Sequence, residues 1–153
     1  MNKTDTALMK LVARVGEIGL SLAVEHLVEV VQLDVGDIDA TDVDGSGPEL
    51  GTFLFRDQPL VLVDLGQAFV LKTADIEAEV PVLVMSGEQG LWGAVVGSVE
   101  GVYPESSFTT RDLPISLICT GQKLYSQLDI WRGEPLVCLE PYKIDRYRHA
   151  GSL

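Results

Sequence analysis

The chain reads as an all-β protein built from two small five-stranded β-barrels, and three observations carry that expectation. Its apolar residues fall in short Val- and Leu-rich runs broken by Gly, Pro and Asp, not in capped helical stretches. Residues 16–29, GEIGLSLAVEHLVE, return at 87–100 as GEQGLWGAVVGSVE, with eight of fourteen positions identical at an offset of 71. Residues 55–64, FRDQPLVLVD, return at 131–140 as WRGEPLVCLE at an offset of 76, with Arg, Pro, Leu and Val repeated.

Each element follows in order. LMKLVARV (8–15) alternates loosely and meets the turn residues Gly16 and Gly19, which predicts a strand and a hairpin. Leu20 to Leu33 is rich in β-branched residues and suits two strands, or one long bent strand, better than a helix; a helix over 22–33 stays open as the alternative. Residues 34–49 form a polar loop without periodicity. Strands are expected at Thr52–Arg56 and Leu60–Leu65, joined by a turn at Asp57-Gln58-Pro59, with one short helix in the run 65–79. Val80–Met85, Leu91–Val96 and Val99–Tyr103 read as three more strands, and a long connection leads to Leu124–Trp131 and Leu136–Glu140.

The two halves thus repeat one order of hairpin, Val-rich strand, connection and Arg-turn hairpin, giving subdomains at about 7–75 and 79–145 of a single domain spanning 1–153. Closing five strands into a barrel removes exposed edges. A core of some 70 residues rarely supplies more than about 3–5 kcal/mol, so two barrels that share a central core solve the stability problem together.

Composition narrows the function. A formal charge of −12 argues against a nucleic-acid partner, whose phosphates are met by Lys and Arg, and against anionic membranes. No run approaches the roughly 18 apolar residues of a membrane span, and the start MNKTDTALMK lacks a signal-peptide apolar region, so a cytoplasmic location without membrane insertion is expected. No Lys or Arg occurs between Arg14 and Arg56, where nine acids do, and the basic residues Arg132, Lys143, Arg146 and Arg148 gather late.

Catalytic and cofactor chemistry finds no foothold. Cys119 and Cys138 lack zinc or redox spacing and read as buried thiols. A calcium loop over 40–51 would place Ala40 first and Gly51 last, without the bidentate Glu. His26 and His149 have no nucleophile at hand, and neither phosphate-binding glycine pattern occurs. No enzyme activity, cofactor or metal is expected.

Over nearly its whole length the chain resembles the CheW-like domain family, the coupling module of bacterial chemosensory arrays. LVARVGEIGLSLAVEHLVEVV (11–31) is similar to that family's first hairpin and following strand. LGTFLFRDQPLVLVDL (50–65) is similar to its G-x-x-x-L-R-G-x-x-x-P-V-x-D-L segment, and VPVLVMSGEQGLWGAVVGSVEGV (80–102) to the opening of its second subdomain. Asp57 stands where the family pattern has Gly, the proline has moved to Pro59, and Gln127 replaces a common Gly.

The resemblance implies two intertwined SH3-like barrels with one or two short helices. It implies a chemotaxis scaffold that bridges a CheA-type histidine kinase of a two-component system, through its regulatory domain, to the cytoplasmic tip of a methyl-accepting chemoreceptor, recruited to membrane-bound arrays. Arg56 is carried over as the residue near the receptor and Glu29 as a matching family acid; Val28, Val30, Val31 and Asp57 complete the expected partner-binding set. Two other readings stay open: a diverged adaptor of a pilus or gliding pathway with altered kinase binding, and a small-molecule-binding barrel.

Overall fold

A computed structural model describes residues 9–41, 49–65, 79–88, 90–113 and 127–142. The helix expected within 65–79 falls mainly outside these residues, as does Cys119. The described chain is almost entirely strand: β1 (Met9–Val15), β2 (Ile18–Ala23), β3 (Leu27–Asp34), β4 (Glu49–Phe55), β5 (Gln58–Asp64), β6 (Glu79–Gly87), β7 (Gly90–Val95), β8 (Ser98–Pro104), β9 (Phe108–Asp112), β10 (Gln127–Trp131) and β11 (Glu134–Cys138). Single 3₁₀ turns at Val24–His26, Val35–Asp37 and Glu105–Ser107 link strands.

Two sheets form. One runs β8-β1-β2-β11-β10-β9 and the other β3-β6-β7-β5-β4. The halves are intertwined: the N-terminal hairpin β1–β2 joins the strands of the second half, and β6–β7 joins those of the first. Each hairpin docks in the same way, by one antiparallel ladder (β1–β8, β6–β3) and one short parallel ladder (β2–β11, β7–β5).

Both sheets curl. In a flat second sheet β3 and β4 would stand about 19 Å apart at the usual strand spacing, yet Arg56 Nη2, at the end of β4, lies 2.9 Å from Glu29 Oε1 on β3. The first sheet closes likewise: Tyr103 on β8 lies 5.1 Å, centroid to centroid, from Trp131 on β10.

The Val-rich runs are explained by strands buried on both faces. On β6, Val80, Val82 and Val84 face the interior of the second sheet, whereas Leu83 and Met85 face a central core between the sheets. That central core joins Leu11, Ala13, Leu20 and Leu22 of the first hairpin to Leu83, Met85, Trp92 and Ala94 of the second, flanked by Val63 and Leu139.

Strand register corrects the repeat. Val15↔Ile18 closes the first hairpin and Gly87↔Gly90 the second, so the hairpins correspond at an offset of 72 (87 against 15, 90 against 18) and not 71. Burial agrees, since Leu20 and Trp92 share the central core, while Leu91, the residue identical to Leu20 in the sequence echo, packs on the second sheet's interior. The Arg-turn hairpins keep the offset of 76 (131 against 55, 134 against 58).

Two further expectations change. The β4–β5 turn is Arg56-Asp57 alone, and Gln58 and Pro59 already belong to β5. β9, FTTRD, is an additional strand, so the first sheet has six strands instead of five; its counterpart in the other half shrinks to the bridge Asp39↔Thr52. The reading of Leu20–Leu33 as two strands holds, with a 3₁₀ turn between them, and the alternative helix over 22–33 does not form.

Candidate functional site

The expected partner-binding residues lie along the seam where β3 meets the β4–β5 turn. Both central residues of that turn have positive φ, 51° at Arg56 and 65° at Asp57, the geometry of a two-residue hairpin whose twist matches its strands. The turn projects Arg56 outward with its side chain 68% exposed. The guanidinium is held from two sides: its carbon sits 4.7 Å over the Phe55 ring, and Nη2 donates to Glu29 at 2.9 Å. Stacking and pairing leave the remaining N–H donors of a planar fork preset for an acceptor from outside.

The valines divide. β3 carries a bulge at Val28, between the pairs Leu27↔Met85 and Glu29↔Val84. Val28 and Val30 are exposed, at 39% and 37%, whereas Val31 packs on the second sheet's interior. Val28 and Val30 therefore belong with Arg56, Glu29 and Asp57 on the surface. Sequence reading missed Leu54, 71% exposed one residue before Phe55; its place in an alternating strand signalled an outward side chain.

A second Arg occupies the equivalent turn. Arg132 and Gly133 have φ of 51° and 76°, and the Arg132 guanidinium carbon lies 4.4 Å over Trp131 and 5.0 Å over Tyr103. Where Glu29 stands on β3, β8 has Gly101, paired with Val12 as Glu29 is paired with Val84. Arg132 thus closes its seam by stacking across to β8, and Arg56 by an ion pair.

The first sheet also buries polar chemistry. Asp129 has no exposed surface; it accepts from Lys10 Nζ at 2.7 Å, Ser21 Oγ at 2.7 Å, Thr110 Oγ1 at 2.6 Å and Cys138 Sγ at 3.2 Å. Burial alone would push its carboxyl up, but these four donors outweigh it and hold the group below its ordinary value. Burial pushes the Cys138 thiol up to about 11, which makes it a poor nucleophile at neutral pH. At the other end of the interior, Arg14 forms a two-pronged pair with Glu134 and a contact of 3.1 Å with Glu100; the bonds to Glu134 and Glu100 raise its own pKa, and they depress that of Glu134.

His26 lies in a 3₁₀ turn, 44% exposed, with Glu25 at 3.9 Å. Among the described residues no cluster of His, Cys, Asp and Glu could hold a metal ion, and no helix is long and apolar enough to cross a membrane.

The model of the CheW-like domain matches residues 9–114. The chain belongs to the CheW-like domain family. Among solved structures it is similar to the scaffolding protein TtCheW from Thermoanaerobacter tengcongensis, with a TM-score of 0.72 over 90% of this chain and 87% of that one. Their sequence identity is 15%, so this likeness speaks for the fold alone. No curated protein matches.

Proposed function

We propose that this CheW-like chain is a non-enzymatic, cytoplasmic adaptor that couples a methyl-accepting chemoreceptor to the regulatory domain of a CheA-type histidine kinase. Family membership supports the adaptor class. The observation that carries the site is Arg56: an exposed guanidinium, braced by Phe55 and Glu29, with Val28, Val30 and Leu54 also exposed on β3 and β4. Such a surface offers a fork for a helix carboxylate next to apolar contacts, the composition of a modest protein interface with a polar rim. The exchange of hairpins between the sheets supports reading the subdomains near 7–75 and 79–145 as one working unit.

The test is a titration of wild-type and Arg56→Glu protein against a receptor-tip fragment, and separately against the kinase regulatory domain. Loss of about 1–3 kcal/mol of receptor affinity is expected for a desolvated pair, and less for a rim contact, with an unchanged circular dichroism spectrum. Equal affinities remove Arg56 from the site. Absence of binding by either protein moves the reading to an adaptor of a different motility pathway.

A further inference from the structure

The two hairpins present a docking problem. Their backs both carry apolar residues into one central core, and their backbones dock through the same pair of ladders, so backbone pairing does not tell β1–β2 from β6–β7. Yet each is found in the sheet completed by the other half.

The difference lies on the faces turned into the sheets. At the offset of 72, Lys10 and Ser21 of the first hairpin correspond to Val82 and Gly93 of the second; at the offset of 76, Asp129 corresponds to Phe53. In the first sheet Lys10 and Ser21 both donate to the fully buried Asp129. In the second, a Cβ added at Gly93 would lie 2.7 Å from Phe53 Cε1 and 2.8 Å from Val82 Cγ1. Three equivalent positions hold a polar set in one sheet and an apolar set in the other, each complete only with its own hairpin.

We propose that Lys10-Ser21-Asp129 and Val82-Gly93-Phe53 form a pairing code that assigns each hairpin to its sheet. In the wrong sheet, Ser21 enters the space that Phe53 leaves only for glycine, and the Lys10 ammonium takes the place of Val82 beside Phe53, without Asp129. The second hairpin in the first sheet abandons Asp129 with Val82 and Gly93 in place of two of its donors, a buried charge stripped of its cation. Both errors are penalised, and the correct exchange is the arrangement that satisfies every group.

The test erases the code in the full-length chain. Two triple variants carry apolar residues at the polar positions: Lys10→Met/Ser21→Gly/Asp129→Leu, which conserves volume, and Lys10→Val/Ser21→Gly/Asp129→Phe, which copies the other sheet. The readout is the number of indole N–H cross-peaks in a nitrogen–proton correlation spectrum, because the protein has two tryptophans, one on the exchanged hairpin β7 and one on β10. Wild type gives two peaks. The expected result is a β-rich circular dichroism spectrum with more than two indole peaks in at least one variant, reporting alternative docking. Two sharp peaks in every variant that folds overturn the proposal. Failure of both to fold also overturns it, since apolar sets of matching volume would then be excluded by something other than pairing specificity.

Discussion

Phe53 and Asp129 occupy the same place in two hairpins that superimpose in register, but Phe53 sits in an apolar cluster with Leu33, Phe55, Leu60, Leu62 and Val82, and Asp129 sits in a net of four donors. Among the described residues, the first sheet's buried apolar cluster consists of Val12, Phe108, Trp131 and Leu136 with Tyr103 against them, with Lys10–Asp129 and Arg14–Glu134 at its two ends. Duplication preserved the shared central core, where both hairpins must meet the same neighbours, and let the two enclosed interiors diverge. One backbone plan accepts either chemistry, provided that every member of the set changes together.

The largest way to break this comparison is to remove one member of the polar set. Asp129→Ala strands Lys10 and unpairs Ser21 and Thr110, and it should cost about 3–5 kcal/mol, as much as Phe53→Ala costs by leaving a cavity in the other interior. Urea unfolding of both variants measures this. A loss below about 1 kcal/mol for Asp129→Ala would mean that the net contributes little.

Next in size is Gly93→Ala, whose added methyl meets Phe53 and Val82 and should cost about 1–3 kcal/mol by overpacking. Phe53→Leu should recover part of that loss, whereas the same second change beside Asp129→Ala should not. Double-mutant cycles in denaturant read the difference.

The interiors should also differ in acid. Asp129 titrates below its ordinary value of 3.8 in the folded chain, so it binds fewer protons there than when unfolded. Its contribution is present above about pH 4 and disappears as pH falls through its own lower value. Asp129→Asn should therefore flatten the acid side of the stability–pH curve, and Phe53→Leu should only shift the whole curve down. Parallel acid limbs for wild type and Asp129→Asn would refute this.

The smallest expected effect compares the two Arg turns. Asp57 holds φ of 65° where Gly133 holds 76°, and glycine adopts this region without strain. Asp57→Gly should stabilise by about 1 kcal/mol or less and Gly133→Asp should destabilise by a similar amount, measured as shifts in thermal midpoint.

Much of this was written locally. Strand runs such as VPVLVM, turn residues at Gly16 and Arg56, and the duplicated order of elements all follow from side-chain alternation and from which residues tolerate positive φ. β9 was not legible, because FTTRD has four exposed residues and no alternation to mark it; pairing with β10 makes it a strand. Of the candidate site, Arg56 and Glu29 were named by family resemblance, but their contact required the sheet to curl until β3 reached the β4–β5 turn. Val31 packs inward because strand alternation from Leu33 turns it toward the second sheet's interior.

By itself, then, the sequence determined most of the strands and turns and the presence of two related units, since these depend on neighbours within a few residues. Only the tertiary structure decided which hairpin completes which sheet, that the true repeat is 72 and not 71, and that Lys10 pairs with a buried aspartate 119 residues away. A one-residue slip turns every side chain of a strand to the opposite face, and identical letters at either spacing look the same. What selects between them is the partner surface that each face meets.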